Sequence, residues 1–336
     1  MVRVITVQDL RKLLKKLTLK TFMLKLIDQL RSDYARWGEF EKSPRHAIYL
    51  PDGVIELMPI ADKEYYSFKY VNGHPNNPES QKLTVVAIGG LSSTKNGYPL
   101  LISEMTILTA IRTAVTSALA SQYLAKKGAK KFGIIGTGAQ SEFQTLAHFF
   151  ALGTDEIFYF DIDAHAMEKF EQNLKPYGLQ LHRCKDAQEV AKKSDLITTA
   201  TAKKGHQKIL HVDWVHNGCH INGIGGDAPG KTELEEALLK KCKIVIEQEM
   251  QSRVEGEIQQ LHGNRIYAEL WELAALKKKG RESDEEITLF DSVGFALEDY
   301  SALRLLYNLS IEHGIGEQLE MIPHPTDPKN LYGEIR

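Results

Sequence analysis

The stretch Gly136-Thr137-Gly138-Ala139-Gln140-Ser141 constrains this chain more than any other. It follows a short apolar run, Lys131–Ile135, and opens a helical pattern, Gln140–Leu152. A second apolar run, Glu156–Asp161, then ends in an acid 25 residues past Gly136. Glycines at such a turn let the backbone approach a diphosphate, whose charge meets the positive end of the next helix. An acid at that distance suits a ribose 2′-hydroxyl. Ser141 replaces the third glycine of the pattern and is small enough for close helix–strand packing. A strand–turn–helix without a ligand is the competing reading, and the agreement of strand, glycines and acid argues against it.

The surrounding pattern supplies the context. Leu179–Arg183, Asp195–Thr199, His220–Gly223, Lys243–Glu247 and Thr288–Asp291 read as further strands, mostly separated by helical stretches such as Ala164–Leu174 and Ala187–Lys193. Strand–helix alternation predicts a parallel sheet with crossover helices, a Rossmann-type α/β domain. The first hundred residues differ. After helical stretches up to Lys20 (Leu10, Leu13, Leu14 and Leu17 on one face) and over Thr21–Trp37, strands are predicted at His46–Leu50, Val54–Ile60, Tyr66–Asn72, Leu83–Gly89 and Tyr98–Ile102. Pro51-Asp52-Gly53 and Asn96-Gly97 are turn sequences between them. This predicts an α+β domain with an antiparallel sheet. Thr106 is expected to cap a helix over Ile107–Lys127 closed by Gly128, and Phe295–His313 is a closing helix before an extended tail.

A net charge of −2 leaves no excess of cations to displace counterions from nucleic-acid phosphates, so no nucleic-acid partner is expected. No apolar run is long enough to span a bilayer, and the N-terminal stretch lacks the apolar core of a secretory signal. Three cysteines without a CxxC pair, Cys184, Cys219 and Cys242, argue against a disulfide framework and for a reducing compartment.

A second glycine-rich loop runs through Asn222-Gly223-Ile224-Gly225-Gly226-Asp227 to Pro229-Gly230-Lys231, after which Thr232 is expected to cap a new helix. Bare backbone at the carboxyl end of a parallel strand is where such sheets bind ligands. Asp227 there suits a general base or a turn-stabilising acid, and composition leaves both open. Arg45, Glu56, Lys69 and Arg112 stand in apolar company in the first domain. Each alone is most simply an outward charge on a solvated face. Together, cations for a carboxylate and an acid for an amine would suit an amino-acid ligand.

Val54–Pro59, Phe68–Pro75, Gly138–Gln144, Gly225–Asp227 with Pro229–Leu234, Glu255–Gln260 and Phe290–Tyr300 resemble the ornithine cyclodeaminase/mu-crystallin family, over about residues 37 to 300. The sparse cysteines fit a cytoplasmic setting, and the resemblance implies a homodimer. Its substrate-binding and dimerisation domain would be 1–112 with 305–336, around an NAD-binding domain at 113–304. It implies an ammonia-lyase activity, L-ornithine to L-proline and ammonia, with tightly bound NAD recycled by internal hydride transfer, in proline biosynthesis and ornithine and arginine catabolism. Arg45, Lys69 and Arg112 would hold the carboxylate, Glu56 would meet the side-chain amine, Val293 would border the substrate, and Asp227 with Lys69 would be catalytic. NAD would contact Thr84, Arg112, Gly136, Gly138, Ala139, Gln140, Asp161, Thr201, Asn222, Gly223, Ile224, Gly225, Lys231 and Ser292. No metal is implied. Relatives that act as imine or ketimine reductases, alanine dehydrogenase or lysine cyclodeaminase are the alternatives, as is a dinucleotide-binding protein of the mu-crystallin kind.

Overall fold

The computed structural model describes residues 1–202, 205–263 and 265–336. Eight parallel strands make one sheet, in the spatial order Gln180–Arg183, Glu156–Phe160, Lys131–Ile135, Leu196–Thr199, His220–Gly223, Thr288–Asp291, Lys243–Ile246 and Ile266–Glu269. The chain leaves Lys131–Ile135 toward one edge and later returns to its other side with Leu196–Thr199. That reversal opens a crevice at the carboxyl ends of the two strands, the place where doubly wound sheets bind ligands. Gly136 and Ala200 sit at its lip. A Cβ on Gly136 would come within 2.6 Å of the Ala200 carbonyl, and the residue has φ +99°, so both space and backbone demand glycine.

A second sheet holds the N-terminal strands in the order Glu317–Leu319, Val2–Ile5, Pro99–Glu104, Ala87–Ser93, Tyr65–Gly73, Gly53–Ala61 and Glu41–Lys42, with His46–Leu50 also on Gly53–Ala61. It is antiparallel apart from the Val2–Ile5 and Pro99–Glu104 pair. The helices Leu19–Ala35, Thr106–Leu124 and Ala296–Glu312 cover its inner face and form one continuous core with it through Leu26, Leu30, Ile111, Val115, Tyr300 and Leu303.

Several local expectations change. The strand expected at Leu83–Gly89 begins only at Ala87, and Val86 and Thr84 instead pass their carbonyls to Asn72 and His74 as an irregular edge. The Thr106–Leu124 helix is capped not by Thr106 but by Glu104, whose carboxylate accepts from the N–H groups of Ile107 (3.0 Å) and Leu108 (3.2 Å). Thr106 Oγ1 is turned away to accept from Ala87 N–H. Thr232 caps no helix: Thr232–Leu234 is a strand beside His206–Leu210, and the helix starts at Glu236.

Candidate active site

Period two in the strands decides where the charges go. In Gly53–Ala61, Glu56, Met58 and Ile60 are buried while Leu57 is exposed; in Tyr65–Gly73, Ser67, Lys69 and Val71 are buried while Tyr66 and Tyr70 are exposed. Met58 pairs directly with Lys69, and Glu56 with Val71, so the acid and the lysine lie on the same inner face. The reading of Glu56, Lys69 and Arg112 as outward charges is therefore corrected. The face with the charges is the covered one, and the apolar face is the one left open.

The inner face meets the crevice of the parallel sheet in a cleft of about 410 Å³. Arg45, Glu56, Lys69 and Arg112 line it from one side; Gln140, Ile224, Asp227, Lys231, Ser292 and Val293 line it from the other, with Thr84 at the rim. The sequence candidates on the two glycine-rich loops thus converge with those of the first domain. Gly136, Gly138, Ala139, Asp161, Thr201, Asn222, Gly223 and Gly225 do not line this cleft. Gly138 and Ala139 are exposed, and a Cβ at Gly138 would meet open space, so room for a phosphate exists beside the helix Ser141–Leu152. Asp161 already has structural duties: Oδ2 accepts from Thr137 N (2.6 Å) and Oδ1 from Asp163 N (2.9 Å). Asn222 points away from the cleft, into a buried polar cluster with Ser121 and His148. Thr201 gives its N–H and hydroxyl to Glu233.

The bareness of the second loop has an internal cause. A Cβ on Gly225 would strike the Glu233 carboxylate at 2.1 Å, and one on Gly226 would strike Glu257 Oε1 at 2.5 Å. Those carboxylates are buried behind the loop, and Glu257 accepts from the N–H groups of Glu233 (2.7 Å) and Leu234 (3.0 Å). Asp227 emerges beyond them. Its side chain is 50% exposed and pairs with Lys231 Nζ at 2.8 Å.

The buried cations are held by acids that sequence reading did not single out. Lys69 Nζ lies 2.8 Å from Asp299, and Arg112 takes both Asp299 (Nε, 3.0 Å) and Glu298 (Nη1, 2.5 Å). Glu298 also accepts from Tyr34 OH at 2.9 Å. Burial, with the Arg112 charge adding to it, brings the Lys69 ammonium down to about 8 despite Asp299. Arg45 is paired with Glu56 and Glu255. Glu247 accepts from Ser292 Oγ (2.6 Å) and from the N–H groups of Val293 and Gly294 (both 3.1 Å), fixing that turn against the cleft. Burial, helped by the Glu298 charge, pushes Glu247 up to about 8. Glu298 and Asp299 were legible only as acids in the first turn of a helix, where the helix dipole favours them anyway.

Among the described residues that line the cleft, Gln140 Oε1 and Thr109 Oγ1 are buried with neither a hydrogen bond nor an ion pair. Buried polar atoms are normally satisfied, so these two are suited to a ligand. No cluster of potential metal ligands exists among the described residues, and no helix there is long and apolar enough to cross a membrane.

The model of the ornithine cyclodeaminase/mu-crystallin family matches residues 8–313. An ornithine cyclodeaminase of Agrobacterium fabrum is 45% identical over 331 residues, 98% of this chain and 94% of that protein. A lysine cyclodeaminase, solved in a study of its recognition of L-lysine, L-ornithine and L-2,4-diaminobutyric acid, superposes with a TM-score of 0.92 at 29% identity over 98% of both chains. An archaeal alanine dehydrogenase dimer with bound NAD gives a TM-score of 0.87 at 30% identity, covering 96% of this chain and 99% of that one. With a fold and cleft of this kind and a match over nearly its whole length, the chain belongs to the ornithine cyclodeaminase/mu-crystallin family.

Proposed function

We propose that this chain converts L-ornithine to L-proline and ammonia, with NAD as a cofactor that is not consumed. The observation that carries the reading is one cleft in which a buried acid, Glu56, stands among Arg45, Lys69 and Arg112 and opposite Asp227. The 45% identity to ornithine cyclodeaminases supports it. The crevice suits NAD: it offers the Gly136–Ser141 turn at a helix N-terminus, open space at Gly138, the unpaired Gln140 Oε1 and Thr109 Oγ1, and an acid at Asp161.

When bound, NAD supplies reversible oxidation at the substrate α-carbon. The protein's part is to hold, fold and deprotonate the substrate. Lys69 and Arg112 present positive charge to the α-carboxylate, and Asp299 and Glu298 fix their positions. Glu56 offers the buried anion that a cationic side-chain amine needs once water is excluded. The walls at Val54, Met58, Val71 and Val293 are apolar, and because ring closure is intramolecular, a cleft that holds the arm folded toward the α-carbon promotes it. Asp227, turned to the solvent side of the cleft and oriented by Lys231, accepts and returns amine protons. Lys69, near 8, carries a proton at neutral pH that it can release.

The domain division is also a proposal: the expected boundary at 112 falls inside the unbroken helix Thr106–Leu124, which packs on the first sheet, so we draw it at the end of that helix, with the dinucleotide domain after it. Because Ala296–Glu312 is one unbroken helix packed on the first sheet, we draw the return to the first domain at its start instead of at 305. A homodimer is supported by the open face of that sheet. Ile48, Leu57, Tyr66, Tyr70 and Ile88 are exposed there side by side, an apolar patch of the kind that marks an interface. Three free cysteines support a reducing, cytoplasmic setting. The deciding experiment is incubation of purified protein with L-ornithine and catalytic NAD. Proline and ammonia in equal amounts without accumulating NADH support the reading. Accumulating NADH without proline would replace it with a dehydrogenase.

A further inference from the structure

Arg45 has almost no donor to spare. Its Nη1 reaches both Glu56 oxygens at 3.0 Å, and Nη2 donates to the carbonyls of Val293 (2.5 Å) and Gly294 (2.6 Å). Only Nε is left, and it faces Glu255 Oε2 at 3.2 Å in an ion pair without hydrogen-bond geometry. In this state the charge of Glu56 is already taken up by Arg45, and Arg45 has no Nη hydrogen left for a carboxylate. A diamino acid can resolve this by exchange: its carboxylate takes Nη1 while its side-chain ammonium takes Glu56, and no buried charge is stranded. A monoamino acid supplies only the first half and leaves Glu56 buried without a partner, which is costly.

The exchange needs something to hold Arg45 while Glu56 leaves. Glu255 is built for that. It ends the helix Glu249–Glu255, its side chain is 4% exposed, and it is steadied by Tyr49 OH at 3.2 Å. One turn earlier, Gln251 accepts from the Arg45 backbone N–H (3.1 Å) and donates to the Gly294 carbonyl (2.6 Å). One helix face therefore grips both the backbone and the guanidinium of Arg45. Glu255 is not among the residues lining the cleft and acts through Arg45.

We propose that Glu255 is the fixed counter-ion of Arg45, a positioning residue that lets Glu56 transfer to the cationic arm of the substrate and so favours diamino over monoamino acids. The proposal rests on the functional reading above. Its effect is a differential one. Removing the Glu255 charge strengthens the hold of Arg45 on Glu56 and the pull of Arg45 on a carboxylate for either ligand. Only the diamino ligand also loses attraction for its ammonium.

The test is equilibrium binding of L-ornithine and of L-norvaline, the same carbon chain without the terminal amine, to the NADH complexes of the wild type, Glu255→Gln and Tyr49→Phe, in which the reduced cofactor cannot oxidise either ligand. Glu255→Gln should lower the ornithine-to-norvaline affinity ratio about tenfold, the size of one charge-assisted contact. Tyr49→Phe keeps the charge but loosens its hold, and should lower the ratio less than Glu255→Gln does. An unchanged ratio in Glu255→Gln, or an equal loss for both ligands, overturns the proposal. Because binding is read without turnover, a wild type that prefers ornithine but forms no proline overturns the functional reading alone. A wild type without the preference overturns both.

Discussion

Lys69 Nζ and the Asp299 carboxylate meet at 2.8 Å with both side chains 1% exposed, although 230 residues separate them. The pair joins the inner face of the first sheet to the opening turn of the helix Ala296–Glu312. It also makes Asp299 a shared anchor, because Arg112 Nε approaches the same carboxylate at 3.0 Å.

A consequence for pH follows. Below about 8 Lys69 is cationic and helps hold a carboxylate; above it the ammonium is lost, so kcat/KM for ornithine should fall on the alkaline side. In Asp299→Asn the main counter-charge to Lys69 is gone while burial and Arg112 still oppose its proton. The alkaline limb should then move to lower pH, with KM rising more than kcat falls. The measurement is kcat/KM against pH for both proteins. An alkaline limb in the same place would mean that another group titrates there.

The alternation of Val54–Ile60 and Tyr66–Asn72 was enough to place Glu56 with Met58 and Lys69 with Val71 on common faces. It did not say which face was covered, because a solvated face is usually the charged one. Here the apolar residues Tyr66 and Tyr70 face outward, so the usual sign is reversed. The glycine motif, the parallel strands and the acid at Asp161 were legible because each is a local constraint on backbone. Glu298, Asp299 and Glu255 were not, since their importance lies in contacts across 186, 230 and 210 residues to Arg112, Lys69 and Arg45. Glu104, which displaced Thr106 as the helix cap, was hidden for a simpler reason: it reaches forward from the end of a strand.

Asp227 offers a cleaner separation of chemistry from structure. Its side chain is half exposed and, among the described residues, its ion pair is to Lys231, a type of pair that contributes little to stability when solvent has access. Asp227→Asn should therefore melt close to the wild type and bind NAD nearly as well. Turnover of ornithine should drop by about two to four orders of magnitude, the usual contribution of a general acid–base group. Near-normal turnover would reduce Asp227 to a loop support.

Asp161 combines a turn-stabilising role with a candidate role in cofactor choice. Both oxygens are engaged, with Thr137 and Asp163 N–H groups, yet a carboxylate has lone pairs left for a ribose hydroxyl. Its charge should repel a 2′-phosphate. Asp161→Asn keeps the shape and an acceptor but removes the charge, so the preference for NAD over NADP should narrow by about an order of magnitude. Fluorescence titration with both reduced cofactors reads this directly. An unchanged ratio would leave Asp161 as a strand-end cap only.

The cluster beneath the crevice makes a prediction about acid. His148 is fully buried, stacked on Phe132 at 4.7 Å, with Nδ1 at 2.7 Å from the Gln144 carbonyl and Nε2 at 3.0 Å from Ser121 Oγ. Asn222 links it to His220, whose Nδ1 lies 2.9 Å from Thr288 Oγ1. These contacts bolt the helix that carries Arg112 to two strands of the parallel sheet. Burial pulls His148 down to about 4, and burial with the Arg281 charge pulls His220 down to about 3. Both stay neutral in the folded protein at pH values where an unfolded chain, with histidine near 6.5, takes up protons. Their contribution to stability is therefore fully present above pH 6.5 and is lost as pH falls toward 4, by about 1 kcal/mol or more per pH unit for each. Buried acids such as Glu247 and Asp291, raised to about 8 and about 7, act in the opposite sense over part of this range, so the melting curve of the wild type alone mixes the two. The difference between the wild type and His148→Gln removes them. At pH 7.5 the variant should be less stable by roughly 1–3 kcal/mol, the cost of disturbed buried hydrogen bonds. By pH 5 the gap should close, because glutamine takes up no proton on unfolding. A gap that stays constant or widens on acidification would show that His148 is not held neutral by burial.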